Sequence, residues 1–124
     1  MTQNAINWFE IPVADMDRAK KFYSAVFQRN LMDLPTPDDS VMAAFEWVEG
    51  GSGSAGALYK SEHANPGGNG VCVYFACEDC AVEEARVEAA GGKVLNPKFG
   101  IGDYGFVCIF MDTEGNVVGM HSQK

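Results

Sequence analysis

The sequence predicts an α+β fold of two βαβββ modules, and three observations predict it. Hydrophobic periodicity switches from two residues to 3.6 and back twice along the chain. An aspartate stands ready to cap each helical stretch, at Asp15 and at Asp79. The shift of 64 between those aspartates also maps Ala25 onto Ala89, and the strand of Phe45 and Trp47 onto Ile109 and Met111. Repetition at that scale means two modules that pair to bury a shared surface.

Residues 4–13 alternate, with Ile6, Trp8, Glu10 and Pro12 on one face and Asn7, Phe9, Ile11 and Val13 on the other. Both faces are partly apolar, so this strand is expected to be covered on both sides. After Asp15, the spacing of Ala19, Phe22, Tyr23, Val26 and Phe27 is that of one helix face, over residues 16–27. Strands follow at 31–34, 41–48 and 55–60, broken by Pro35, Pro37 and the glycine-rich run 50–53. Residues 61–69, with Pro66 and Gly67, read as a linker between modules 4–60 and 70–122 of a single domain. The second module opens with a strand over 71–77. A helix follows Asp79, with Val82, Ala85 and Ala89 as its apolar face and Val87 off the stripe, and Gly91 and Gly92 close it. Strands at 93–95, 106–111 and 116–121 complete the order, the last two joined by the polar turn Asp112, Thr113, Glu114, Gly115.

The chain has 124 residues, 47% hydrophobic, which suffices for one core and not for two ordinary domains. A formal charge of −8 opposes binding to nucleic acid or to anionic lipid. No run approaches the roughly 18 to 20 apolar residues of a membrane span, and residues 1–12 lack the basic start and apolar run of a signal peptide. A cytoplasmic protein is expected, with four free cysteines rather than a disulfide framework.

The run Phe9, Glu10, Ile11, Pro12, Val13, Ala14, Asp15, Met16, Asp17, Arg18, Ala19, Lys20, Lys21, Phe22, Tyr23 resembles the entry strand and helix of the vicinal oxygen chelate superfamily. That superfamily contains glyoxalase I, bleomycin and fosfomycin resistance proteins, extradiol dioxygenases and methylmalonyl-CoA epimerase. The stretch from Pro97 through Gly105 to Asp112, Thr113, Glu114, Gly115 and Asn116 resembles its final hairpin. The resemblance implies paired curved sheets forming an open cup for a small molecule, commonly in a homodimer. In metal-using relatives, a divalent ion there chelates two neighbouring substrate oxygens through ligands on the first and last strands of each module. The corresponding positions here are Trp8, Ala55, Cys72 and Gly119. Only Cys72 is a metal ligand by type, so the usual mononuclear site is not expected and no cofactor is assigned.

Two residues are candidates for chemistry. Glu10 shares a face with Trp8, where an apolar setting would make its carboxylate a general base; the competing reading is a glutamate at the module junction or across a dimer interface. His121, two residues beyond Gly119, would point toward the cup to hold a ligand oxygen, a proton or a metal, unless the strand end frays. His63 reads as a loop residue. Trp8, Trp47, Tyr59 and Tyr74 offer flat surfaces with polar edges for a ligand, or else ordinary core packing, and Cys72 lies beside them. Phe99 and Tyr104 flank a glycine-hinged loop that is either a pocket lid or a plain hairpin. Cys77 and Cys80 form a C-x-x-C, but neighbouring acids and the absence of a second such pair favour a buried small hydrophobe at Cys77 over redox or zinc chemistry. The expected function is binding of a small molecule, as in the bleomycin-binding branch. The alternative is a metal-dependent lyase, isomerase or dioxygenase using Glu10, Cys72 and His121 as a displaced site.

Overall fold

Asp15 sets the start of the first helix: its extended backbone (φ −128°) lets the carboxylate accept from the Arg18 N–H at 3.0 Å. The computed structural model describes residues 8–62, 64–67 and 72–124, except the side chain of Tyr104. Within them β1 (Glu10–Pro12) precedes α1 (Met16–Phe27), which stops where Gln28 turns left-handed at φ 52° and its N–H bonds back to the Ser24 carbonyl. Then come β2 (Leu31–Leu34), β3 (Val41–Phe45) and β4 (Ala57–Lys60). The second module repeats the order with β5 (Tyr74–Ala76), α2 (Cys80–Val87), β6 (Lys93–Gly100), β7 (Phe106–Met111) and β8 (Val117–Ser122). The parts of the expected first strands at 4–7 and 71, and His63, lie outside the described residues.

Each module makes one mixed four-stranded sheet with the same plan, β1-β4-β3-β2 in sheet 1 and β5-β8-β7-β6 in sheet 2. In each, the first and last strands of the module run parallel and the remaining pairs are antiparallel. Asp79 caps α2 as Asp15 caps α1, accepting from the Ala81 N–H at 3.0 Å. The repeat read from the sequence is thus present as repeated topology.

One core serves both modules. Ile11, Phe45 and Leu58 of sheet 1 and Cys108, Phe110 and Met120 of sheet 2 meet Ala19, Phe22, Tyr23, Val26 and Phe27 of α1. Phe27 stacks on Phe75 with ring centroids 4.3 Å apart, and Phe22 meets Phe110 at 6.0 Å, so α1 packs on the other module as well as its own. Burying each such ring contributes about 1.5–3 kcal/mol, and Phe22→Ala would cost roughly 3–5 kcal/mol through the cavity it leaves.

Three local expectations are corrected. The buried stripe of α2 runs through Cys80 and Val87, while Val82, Ala85 and Ala89 face solvent. The stripe was hidden because Glu84 lies on it, half-buried and satisfied by the Lys98 N–H at 2.6 Å. The strand expected at 93–95 extends to Gly100, because β6 is a sheet edge and its irregular register between Val94 and Phe99 accommodates Pro97, which has no N–H to donate. The turn after β7 is polar but buried: Asp112, Glu114 and Asn116 are each under one-tenth exposed.

That turn locks the modules together. The Glu114 carboxylate accepts from the Ala14 and Asp15 N–H groups at 2.8 Å each and from the Arg18 guanidinium at 2.7 and 3.0 Å. Asn116 donates to the Pro12 carbonyl at 2.7 Å, and the Tyr23 hydroxyl donates to Asp112 at 2.7 Å. Burial would raise the Glu114 pKa, but the Arg18 guanidinium foremost, then the Asp15 N–H, the Thr113 hydroxyl and the Ala14 N–H, hold it at about 2.

Candidate ligand-binding site

Strand register decides which side chains share a face. In sheet 2, Tyr74 pairs with Gly119 and Ala76 with His121, which in turn pairs with Val107, and Val107 with Phe99. The alternate residues Phe75, Cys108, Phe110 and Met120 belong to the core, so this set occupies the face away from the helices. There Tyr74, Ala76, Phe99, Ile101, Val107 and His121 line an open cavity of about 500 Å³. Its walls are mostly apolar, with a phenol and an imidazole as polar groups, the composition of a small-molecule site. Among the residues expected from the sequence, Tyr74, Phe99 and His121 come together here. Ala76, Ile101 and Val107 are additions; the parity of Ala76 with Tyr74 and of Val107 with His121 was the signal for two of them.

The loop between β6 and β7 holds a 3-10 turn, Gly102–Tyr104, closed by Gly105 at φ 104°. A Cβ on Gly105 would lie within a van der Waals radius of the Ser122 carbonyl, so only glycine fits. Tyr104 belongs to this turn, and Ile101 just before it faces the cavity.

The other expected residues are spread along sheet 1 and the junction. Glu10 pairs with Ala57, and Tyr59 with Pro12 and Met42, on the corresponding face of sheet 1. Glu10 is exposed and accepts from the Trp8 indole N–H at 3.3 Å, so the chain alone does not desolvate it as a general base requires. Trp47 lies beyond β3, 56% exposed, and borders a second cleft at the junction. Cys72 is exposed beside Tyr74, whose phenol it pushes up, chiefly through its charge when ionised and then with burial.

The remaining thiols are quiet. Burial first, then Glu83, pushes Cys77 up to about 12; burial and then Glu84 do the same for Cys108, and Cys80 is fully buried. Neither thiol of the C-x-x-C is placed as a reactive nucleophile, in keeping with the hydrophobe reading.

The four positions that the resemblance marks for metal ligands do not fit a chelated ion. At Gly119 the space a carboxylate stem would need is filled: a Cβ there would lie 2.4 Å from Cδ2 and Cε2 of Tyr74. No group of three or more His, Cys, Asp or Glu among the described residues is arranged to hold a metal. Nor is any described helix long and apolar enough to cross a membrane.

With this geometry in view, the profile of the Glyoxalase/Bleomycin resistance protein/Dioxygenase superfamily matches residues 5–120. A Mycobacterium tuberculosis protein named as a glyoxylase, CFP32, is 30% identical over 121 residues, covering 95% of this chain and 45% of its own length. The chain therefore spans less than half of that relative. Among solved structures, a glyoxalase I variant from Zea mays aligns with TM-score 0.75 at 20% identity, over 94% of this chain and 46% of the maize chain. TnmS3, an antibiotic binding protein from Streptomyces sp. CB03234, aligns with TM-score 0.71 at 22% identity, over 100% of this chain and 99% of its own.

Proposed function

Since the chain belongs to the glyoxalase/bleomycin resistance protein/dioxygenase superfamily, we propose that it holds a small, largely apolar molecule in the sheet 2 cavity, without the metal its enzymatic relatives use. The observation that carries this is the convergence of Tyr74, Phe99 and Val107 on one cavity with His121 as a polar anchor. Aromatic and aliphatic walls supply the burial, and the imidazole and phenol orient a ligand hydroxyl or carbonyl. Retention by shape and apolar contact needs no activated nucleophile. Cys77 and Cys108 are pushed up to about 12, and the exposed Cys72 does not line the cavity.

The same reading includes a homodimer. Trp8 and Met32 are 38% and 50% exposed, and a second copy over the open sheet faces would cover such apolar surface and deepen the cavity. Sedimentation at tens of micromolar, to order of magnitude, checks this, and a monomer there counts against a tight dimer.

Titration with 1-naphthol, a planar ring with one hydroxyl, tests the site. Saturable binding is expected, abolished by Val107→Trp, which fills the cavity, and weakened about tenfold by His121→Ala through the lost hydrogen bond. Binding indifferent to Val107→Trp would overturn the assignment.

A further inference from the structure

A second cleft lies where the two sheets end against each other. Among the described residues β5 is an edge strand of sheet 2 and β1 an edge strand of sheet 1, and they are not paired with each other. The ladder bonds Gly119 N–H to Val73 carbonyl (2.9 Å) and Cys77 N–H to His121 carbonyl (2.8 Å) fix the alternation along β5. Val73, Phe75 and Cys77 turn their backbone groups toward β8, so Tyr74 and Ala76 turn theirs to the free edge. That edge borders a cleft of about 270 Å³, walled by Phe9, Trp47, Arg29 and the glycine-rich loop 51–55.

The walls are of three chemical kinds. Phe9 lies flat over Gly56, where a Cβ would be 2.3 Å from its ring, and meets Phe75 edge-on at 6.2 Å, so one aromatic surface is preorganised. Trp47 and Tyr74, each more than half exposed, add two more. Arg29, just past the left-handed residue that ends α1, makes no hydrogen bond or ion pair among the described residues. Glu46 also lines the cleft and repels a ligand carboxylate, which leaves the Arg29 side of the cleft as the place for one.

From this juxtaposition we infer that the junction cleft is a binding site for an N-acylated aromatic amino acid or a peptide terminus of that form. The secondary amide adds to the free β5 edge at Tyr74 and Ala76, as an extended segment does to any open sheet edge. The ring lies on Phe9 and Trp47, and the carboxylate pairs with the Arg29 fork. This site is separate from the sheet 2 cavity and does not depend on that reading, although Tyr74 and Ala76 border both.

The test is a titration of the full chain with N-acetyl-L-phenylalanine, followed by amide and indole nuclear magnetic resonance shifts. Saturable shifts at Tyr74, Ala76 and the Trp47 indole are expected, with dissociation in roughly the millimolar range. Arg29→Gln should weaken the acid about tenfold and leave the methyl ester unchanged, and 3-phenylpropionate, which lacks the amide, should bind more weakly than the acetylated acid. Trp47→Ala should weaken all three compounds. Shifts at Val107 and His121 without a shift of the Trp47 indole, no saturable shift, or an Arg29→Gln variant that binds the acid as well as the unaltered chain would each overturn the assignment. None of those results bears on 1-naphthol in the sheet 2 cavity, so the two proposals fail separately.

Discussion

The ring of Tyr74 lies against Gly119 so closely that a Cβ on the glycine would fall 2.4 Å from two ring carbons. Two strands are thereby fitted to each other: β8 gives up a side chain so that β5 can lay an aromatic ring across it, forming a wall of the sheet 2 cavity. Gly119 has no positive φ, so alanine is acceptable to its backbone and its effect reads the contact alone. Gly119→Ala should destabilise the protein by roughly 1–3 kcal/mol through overpacking. In the Tyr74→Ala background the same change should cost little, giving a coupling of about 1 kcal/mol or more in urea unfolding. Additive effects would show that the ring moves aside freely.

How far the sequence carried this site follows from that pair. Tyr74 and His121 share one face of sheet 2, as period-two parity has it, because register transmits parity from strand to strand without knowledge of the fold. Parity could not say that Gly119 leaves room for a ring, since a glycine in a strand has no pattern of its own. Helical periodicity failed for α2. Glu84 occupies a half-buried position and breaks the apolar stripe, and the Lys98 N–H on β6, together with the Cys108 thiol, explains how it is tolerated. Arg29 carried no signal at all. Its place on the junction cleft follows from where α1 ends and which strand edge the other module brings beside it.

The Glu114 lock makes stability fall in acid. Its carboxylate is held at about 2 in the folded chain against about 4.3 when unfolded, so the folded state binds fewer protons in between. The stabilisation is complete above the unfolded value and is lost as pH falls from about 4.5 through about 2. Glu114→Gln should cost roughly 2 kcal/mol at neutral pH, since the charge-assisted bonds from Arg18 and two backbone N–H groups weaken together. Urea midpoints of the variant should be flatter than those of the unaltered chain across that window. An equal loss in both would locate the acid sensitivity elsewhere.

Removing the Tyr23 hydroxyl tests the second tie between modules. The phenol is fully buried and raised well above its ordinary range by burial, then by the Asp112 charge, so it stays protonated and donates at 2.7 Å. Tyr23→Phe should cost about 1–2 kcal/mol, with the Asp112 oxygen still held by Asn116 at 3.0 Å. A single cooperative transition should persist, because the aromatic contacts of the ring to Phe22, Phe45 and Phe75 are untouched.

Thiol reactivity follows from placement. Of four cysteines, Cys72 alone is exposed, while Cys77 and Cys108 are pushed up to about 12 and Cys80 is fully buried. One fast thiol per native chain is expected with 5,5′-dithiobis(2-nitrobenzoate) near pH 8, vanishing in Cys72→Ser. A second fast thiol at Cys77 would show that the start of α2 opens in solution.

The metal prediction is the most exposed to refutation. A catalytic site typically takes about three protein ligands and keeps an open position, whereas the four marked positions here are Trp8, Ala55, Cys72 and Gly119. Glu10 and His121 stand two residues from two of those positions, a displacement of about 6–7 Å along a strand, and the Tyr74 ring covers Gly119. Glu10 already accepts from the Trp8 indole, and His121 pairs in register with Ala76 and Val107 on a mostly apolar wall. Protein purified without chelator should therefore carry no stoichiometric divalent ion, and adding nickel, zinc, manganese or iron(II) should create no glyoxalase activity. Adding a carboxylate with Gly119→Glu should not build the site either, because its stem collides with Tyr74; Gly119→Glu with Tyr74→Ala removes that collision but still leaves Trp8 and Ala55, neither of them a ligand, at two of the four positions. Elemental analysis finding about one tightly held ion per chain, lost in both Glu10→Ala and His121→Ala, would replace the ligand-holding reading with a displaced-site metalloenzyme.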